Sequence, residues 1–170
     1  MTKRNVMICI RTSRIDAGID LFDSDAEEEE TEEFEDENTG ELPEPSELLT
    51  EGRLVTSPTR VELVYDENEL SGMEGSVTAI GFDRAHPDTV SMMRSGPVST
   101  AMIFEQGKRH HSVFDTPFSS FQVCTHTLHV ENKLLTEGTL FLEYIVEIRG
   151  AQAERCKMNI SVRNDEQLFS

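Results

Sequence analysis

The chain has no tryptophan, only two tyrosines and three cysteines among 170 residues, and no long apolar run. Each shortage excludes something. Cys9, Cys124 and Cys156 occur singly, are odd in number and form no CxxC pair. That excludes a disulfide framework, and an isolated cysteine in a strand reads as a small buried hydrophobe. No stretch approaches the ~18 to 20 apolar residues of a membrane-spanning helix. The apolar run at 6–10 is too short for a signal-peptide core. A soluble cytoplasmic protein with no membrane partner is expected.

Basic residues are missing from one region altogether. Between Asp16 and Glu51 lie 17 of the 33 acidic residues and no Lys or Arg, so the remaining 16 acids face all 15 bases. The net charge of −18 is therefore almost wholly local. No basic stripe remains to displace counterions from phosphates, which argues against nucleic acid as a partner. Hydrophobic residues reach 36%, below the ~45 to 50% of a typical globular domain, as expected if part of the chain stays outside the core. Residues 16–51 are expected to be a disordered acidic insertion between the first two strands of a single domain spanning 1–170. Like-charge repulsion and a lack of β-branched residues leave too little apolar area to offset ordering entropy. Leu21, Phe22 and Phe34 are isolated apolar residues within it. The bland reading is a solvating loop, and the sharper one is a short docking motif; the acidic charge would suit a basic protein partner.

What the rest contains is strand signal. Val6, Ile8 and Ile10 alternate with Met7, Cys9 and Arg11, the period of a half-buried strand that ends near Arg14. Further strands are expected at 48–56, 60–66, 76–83, 88–94, 98–105, 108–115, 118–130, 139–148 and 152–163. Ser57-Pro58, His86-Pro87, Ser95-Gly96-Pro97, Gln106-Gly107 and Thr116-Pro117 punctuate them. Val61, Leu63 and Tyr65 share one face. No segment carries a helical apolar stripe. Ten short sequential strands predict an all-β, antiparallel up-and-down barrel of about 8–10 strands, monomeric or weakly dimeric because closure leaves few open edges. Closure of the first strand on the last would bring Cys9 towards Cys156. In the strands holding Phe121 to Leu128 and Tyr144 to Val146 both faces carry apolar groups, so alternation does not decide which face is inside.

Several motifs share an order and spacing with a known group: Tyr65 with Glu67, Met93-Arg94-Ser95-Gly96, Glu105 with Gly107, Thr116-Pro117-Phe118, Thr125, and Tyr144 in the penultimate strand. On these, the chain resembles the YwiB-like family of uncharacterised bacterial proteins over residues 49–162 and the first strand. The resemblance implies a calycin-like barrel of the lipocalin kind and brings no established activity. Two departures stand out: the long acidic insertion, and Ser119 where a glycine commonly follows Thr116-Pro117-Phe118.

Catalytic signatures are lacking. There is no GxSxG elbow, no thiol-enzyme signature and no glycine-rich phosphate loop. Glu143 and Glu147 share a strand face but stand roughly 13 Å apart, too far for a glycosidase pair. No enzyme and no cofactor is expected. Neighbouring His110 and His111 should point to opposite faces, as should His126 and His129 unless a bulge intervenes. His111 with His126 across strands is the remaining metal pair, and hydrogen-bonded or surface histidines are the simpler reading; no metal site is assigned. Arg94 ends an apolar strand beside a tight turn. Its side chain is expected inside the barrel, either binding an anionic ligand or pinned by Glu62, Glu105 or Glu147. The candidate ligand-binding set is Arg94, Tyr144, Thr125, Glu62 and Glu105. Two functional classes follow. One is a binder of a small apolar or amphipathic molecule, and the alternative is a protein-interaction module with a packed barrel. An open cavity of several hundred Å³ favours the first.

Overall fold

In the computed structural model, which describes residues 1–17, 46–68, 73–149 and 153–164, every element is a β-strand. In chain order these are β1 (Thr2–Asp16), β2 (Ser46–Thr56), β3 (Arg60–Asp66), β4 (Val77–Asp83), β5 (His86–Ser95), β6 (Ser99–Glu105), β7 (Arg109–Asp115), β8 (Ser120–Lys133), β9 (Thr139–Ile148) and β10 (Glu154–Asn164). Each strand pairs antiparallel with its sequence neighbours, and β10 pairs with β1, closing a barrel with no free edge. Among the described residues no helix is long and apolar enough to cross a membrane.

The first and last strands meet as expected, but the register separates the cysteines: Cys9 lies opposite Ser161, and Cys156 opposite Arg14. The acidic segment is also shorter than its composition suggests. Asp16 belongs to β1 and residues 46–51 to β2, where the ladder with β1 supplies backbone partners and Glu47 pairs with Arg11 at 3.1 Å. Residues 18–45, which hold the rest of the expected insertion, lie outside the described residues.

Alternation sets the inside. Val61, Leu63 and Tyr65 of β3, Ile80 and Phe82 of β4, Val90 and Met92 of β5 and Phe104 of β6 all join one core. At the end of the barrel that carries the 56–60, 83–86, 105–109 and 133–139 connections, Val6, Phe82, Phe104, Leu134, Leu140 and Ile160 fill the interior. Burying each such side chain contributes about 1.5 to 3 kcal/mol. The double-faced apolar pattern of β8 and β9 has a separate cause. Cys124, Leu128 and Ile145 face outward and are covered by Ala17 and Ala153, which are tied by a backbone hydrogen bond from Ala17 N to Ala153 O at 3.0 Å.

One seam interrupts the wall. β6 and β7 pair only at Ser99 with Asp115 and Thr100 with Phe114. Beyond that their connecting turn is held by β8 instead, with Gly107 N donating to Thr127 O at 2.8 Å and Thr127 N to Lys108 O at 3.1 Å. The extra residue of a bulge in β8 sits beside that attachment, between Thr127 and His129.

Candidate functional site

The end of the barrel opposite the packed core is hollow. A cavity of about 760 Å³ runs in from the rim at Pro97, Thr116 and Phe118 to Met92, Tyr144 and Met158. Phe118 stands 95% exposed at that rim. The rim bend is built from Thr116, whose hydroxyl accepts from Phe118 N at 3.2 Å and Ser119 N at 3.1 Å and donates to Ser119 O at 2.9 Å. No non-glycine among the described residues has a positive φ. Ser119 therefore completes the bend without the left-handed conformation that would demand glycine.

A polar row crosses the wall of the cavity at one level. Tyr65 of β3 pairs with Thr78 of β4, Thr78 with Arg94 of β5, and Arg94 with Thr100 of β6. Arg94 points inward. Its Nε donates to Thr78 Oγ1 at 3.0 Å, Thr78 donates on to Glu67 Oε1 at 2.6 Å, and Arg94 Nη2 lies 3.3 Å from the same carboxylate oxygen. The partner of Arg94 is thus Glu67 and not Glu62, Glu105 or Glu147. Glu67 sits inside because it continues the period of Val61, Leu63 and Tyr65 one step past the strand, where its N–H still donates to Ser76 O at 2.8 Å. That continuation was readable from the sequence.

The other expected residues fall into two groups. Tyr144 lines the floor of the cavity with its ring 4.7 Å from that of Phe104, and Cys156 stands opposite it on β10. Burial pushes the Tyr144 phenol up, and burial likewise pushes the Cys156 thiol up to about 11. Tyr65 rises to about 12, first because of burial and then because of the Glu67 carboxylate beside it. Thr125 faces the interior behind the β6–β7 seam, 1% exposed, with Oγ1 lacking a hydrogen-bond partner. Glu62 and Glu105 alternate with inward Val61 and Phe104 and therefore lie on the outer face. Glu62 binds Arg60 at 2.9 Å, and Glu105 meets Lys108 at 2.8 Å and His110 at 3.5 Å. The structure does not bring them to the cavity.

The histidines are dispersed. His111 stands opposite Cys124, with Nε2 4.0 Å from Sγ, while His126 stands opposite Arg109, so the expected cross-strand histidine pair is offset. The bulge at Thr127/His129 returns His126 and His129 to the same outer face, where His129 lies against Phe141 at 5.9 Å. Among the described residues no three His, Cys, Asp or Glu side chains gather as metal ligands.

A closed up-and-down barrel of ten strands, packed at one end and hollow at the other, defines the class. Residues 28–160 match the model of the domain of unknown function DUF1934, and the chain belongs to that family. The fold is similar to that in the crystal structure of the ywiB protein from Bacillus subtilis, with a TM-score of 0.62 and 16% identity over 94% of this chain and 92% of that one. The YwiB-like resemblance is borne out, and at this identity the match speaks for the fold. No curated protein matches the chain.

Proposed function

We propose that this protein is a non-enzymatic, calycin-like binder that holds a small apolar or amphipathic molecule in the open half of the barrel. The cavity carries the reading. Its roughly 760 Å³ falls within the ~300 to 1,000 Å³ of small-molecule sites, and its lining is largely apolar with a few fixed polar groups, as such sites require. Met92, Met102 and Met158 give the walls an adaptable surface for an apolar chain. Arg94 is held in place by Thr78 and Glu67, so its remaining donors are pre-oriented. Free thiols at Cys9, Cys124 and Cys156 suit a reducing, cytoplasmic setting. The rival reading, a solidly packed barrel acting through its acidic segment on a basic partner, has less support because one end of the interior is open.

Native mass spectrometry of the protein purified from its own cell tests the proposal. A small molecule retained under native conditions and released on denaturation is the expected result. Protein that carries no such mass and takes up no apolar fluorescent probe overturns it.

A further inference from the structure

We propose that the seam between β6 and β7 is a lateral subsite for an anionic head group, a carboxylate or a phosphate monoester, of an amphipathic ligand whose apolar part lies in the barrel cavity. The inference rests on the cavity reading above and adds the chemical class of the ligand. The seam is an open groove of about 510 Å³ that adjoins the main cavity at Arg94, Thr100 and Met102, which line both.

The seam combines apolar walls with polar groups. Ala101, Met102, Ile103 and Val113 line it. Beside them stand Arg94, the imidazoles of His110 and His111, and the hydroxyls of Ser99, Thr100, Ser112 and Thr125. Its single acid, Asp115, sits where β6 and β7 still pair, at the end away from their connecting turn, and accepts from the Ser120 hydroxyl. An anion is the complement of such a set, because each hydroxyl and guanidinium N–H can donate to it and charge-assisted bonds are the strong ones.

One observation points to a missing acceptor. Thr125 Oγ1 is buried at the back of the seam with no partner, although a buried hydroxyl is ordinarily satisfied. Arg94, which engages Thr78 and Glu67 through Nε and Nη2, lines the same seam. A carboxylate or phosphate at the junction of seam and cavity would accept from both. The parting of the strands is what gives it room, since a fully paired β6–β7 hairpin would bring Ala101 to Ile103 against 111–113.

The test uses the full chain and three twelve-carbon competitors, dodecanol, dodecanoate and dodecyl phosphate, displacing the neutral apolar fluorophore N-phenyl-1-naphthylamine. The expected result is that the fluorophore and dodecanol bind, that one or both anions compete at least about tenfold better than dodecanol, and that the better anion identifies the head group. In Thr125→Val the anions should lose about tenfold while Thr125→Ser, which keeps the hydroxyl, retains their advantage. Binding of the fluorophore and dodecanol with no preference for either anion overturns the subsite and leaves the cavity reading standing. So does an anion preference unchanged in Thr125→Val. Failure of the fluorophore and dodecanol to bind overturns the cavity reading and the subsite with it.

Discussion

Arg94 Nη2 lies 3.3 Å from Glu67 Oε1, with the two side chains 12% and 2% exposed, and Thr78 hydrogen-bonds to both. Neither charge has ready access to water, so each depends on the other. Arg94→Met should cost about 3 to 5 kcal/mol, because it strands the Glu67 carboxylate in the wall of the barrel. Glu67→Gln should also destabilise, and the double variant should be more stable than Arg94→Met alone. Urea unfolding of the four proteins gives the coupling energy. Additive effects would mean that the pair is not mutually dependent.

The turn after Arg94 is held as firmly as the side chain itself. Ser76 Oγ donates to Val98 O at 3.0 Å and accepts from Val98 N at 3.1 Å, while Gly96 passes Ser76 with φ +134°. A Cβ on Gly96 would stand 2.7 Å from Ser76 Cα and 2.8 Å from Gly75 O, contacts with backbone that cannot swing aside. Gly96→Ala should therefore lower stability by about 1 to 3 kcal/mol and loosen the Arg94 end of β5. Thermal unfolding measures the first effect, and amide exchange across 94–98 measures the second.

How far the fold could be read in advance depended on whether local pattern or tertiary pairing decided each feature. β3 and β9 were bounded correctly, β3 because inward Val61, Leu63 and Tyr65 alternate cleanly and β9 because turn signals flank an apolar run, although its two apolar faces did not reveal which is inside. β8 runs on to Lys133 instead of stopping at Val130, since Glu131, Asn132 and Lys133 look like a turn locally but pair with Phe141, Leu140 and Thr139. Arg94 was legible as an inward residue from Val90 and Met92. Its partner was missed because the polar Asp66-Glu67-Asn68 stretch reads as a loop even though Glu67 keeps the inward period. The cavity and the seam leave no sequence signal. They are unfilled volume, set by which strands pair and where β6 and β7 part.

Thr127 provides a test of the interior on β8 that does not involve ligand. It is fully buried opposite Tyr144, and its Oγ1 has no hydrogen-bond partner. An unsatisfied buried hydroxyl destabilises the folded state, whereas a methyl of similar shape carries no such penalty. Thr127→Val should thus raise stability by about 1 kcal/mol, measured as a higher urea midpoint at unchanged slope. A loss of stability would mean that the hydroxyl is satisfied in solution.

The two tyrosines allow the buried polar row to be read by absorbance alone, because the chain has no tryptophan to obscure them. Tyr65 is raised to about 12 by burial and by Glu67, and Tyr144 is raised by burial. Cys156 is raised to about 11 for the same reason. In the unfolded chain the thiol ionises near 9 and the phenols near 10. Below those values all three are protonated in both states, and the stability they contribute is fully present. As pH rises past 9 for Cys156, and past 10 for the tyrosines, the unfolded state releases protons that the folded state retains. Stability then falls, by about 1.4 kcal/mol per pH unit for each group in its window, until that group's folded value is reached. For Cys156 the loss is complete near pH 11, and for Tyr65 near pH 12. An alkaline titration followed at 295 nm should therefore show no phenolate in the native protein near pH 10. The signal should instead appear together with loss of the β-sheet circular dichroism at higher pH, and urea-unfolded protein should titrate normally near 10. A native protein that ionises one tyrosine at pH 10 with its sheet intact would show that Tyr65 or Tyr144 is open to solvent, contrary to the packed row and cavity floor described above.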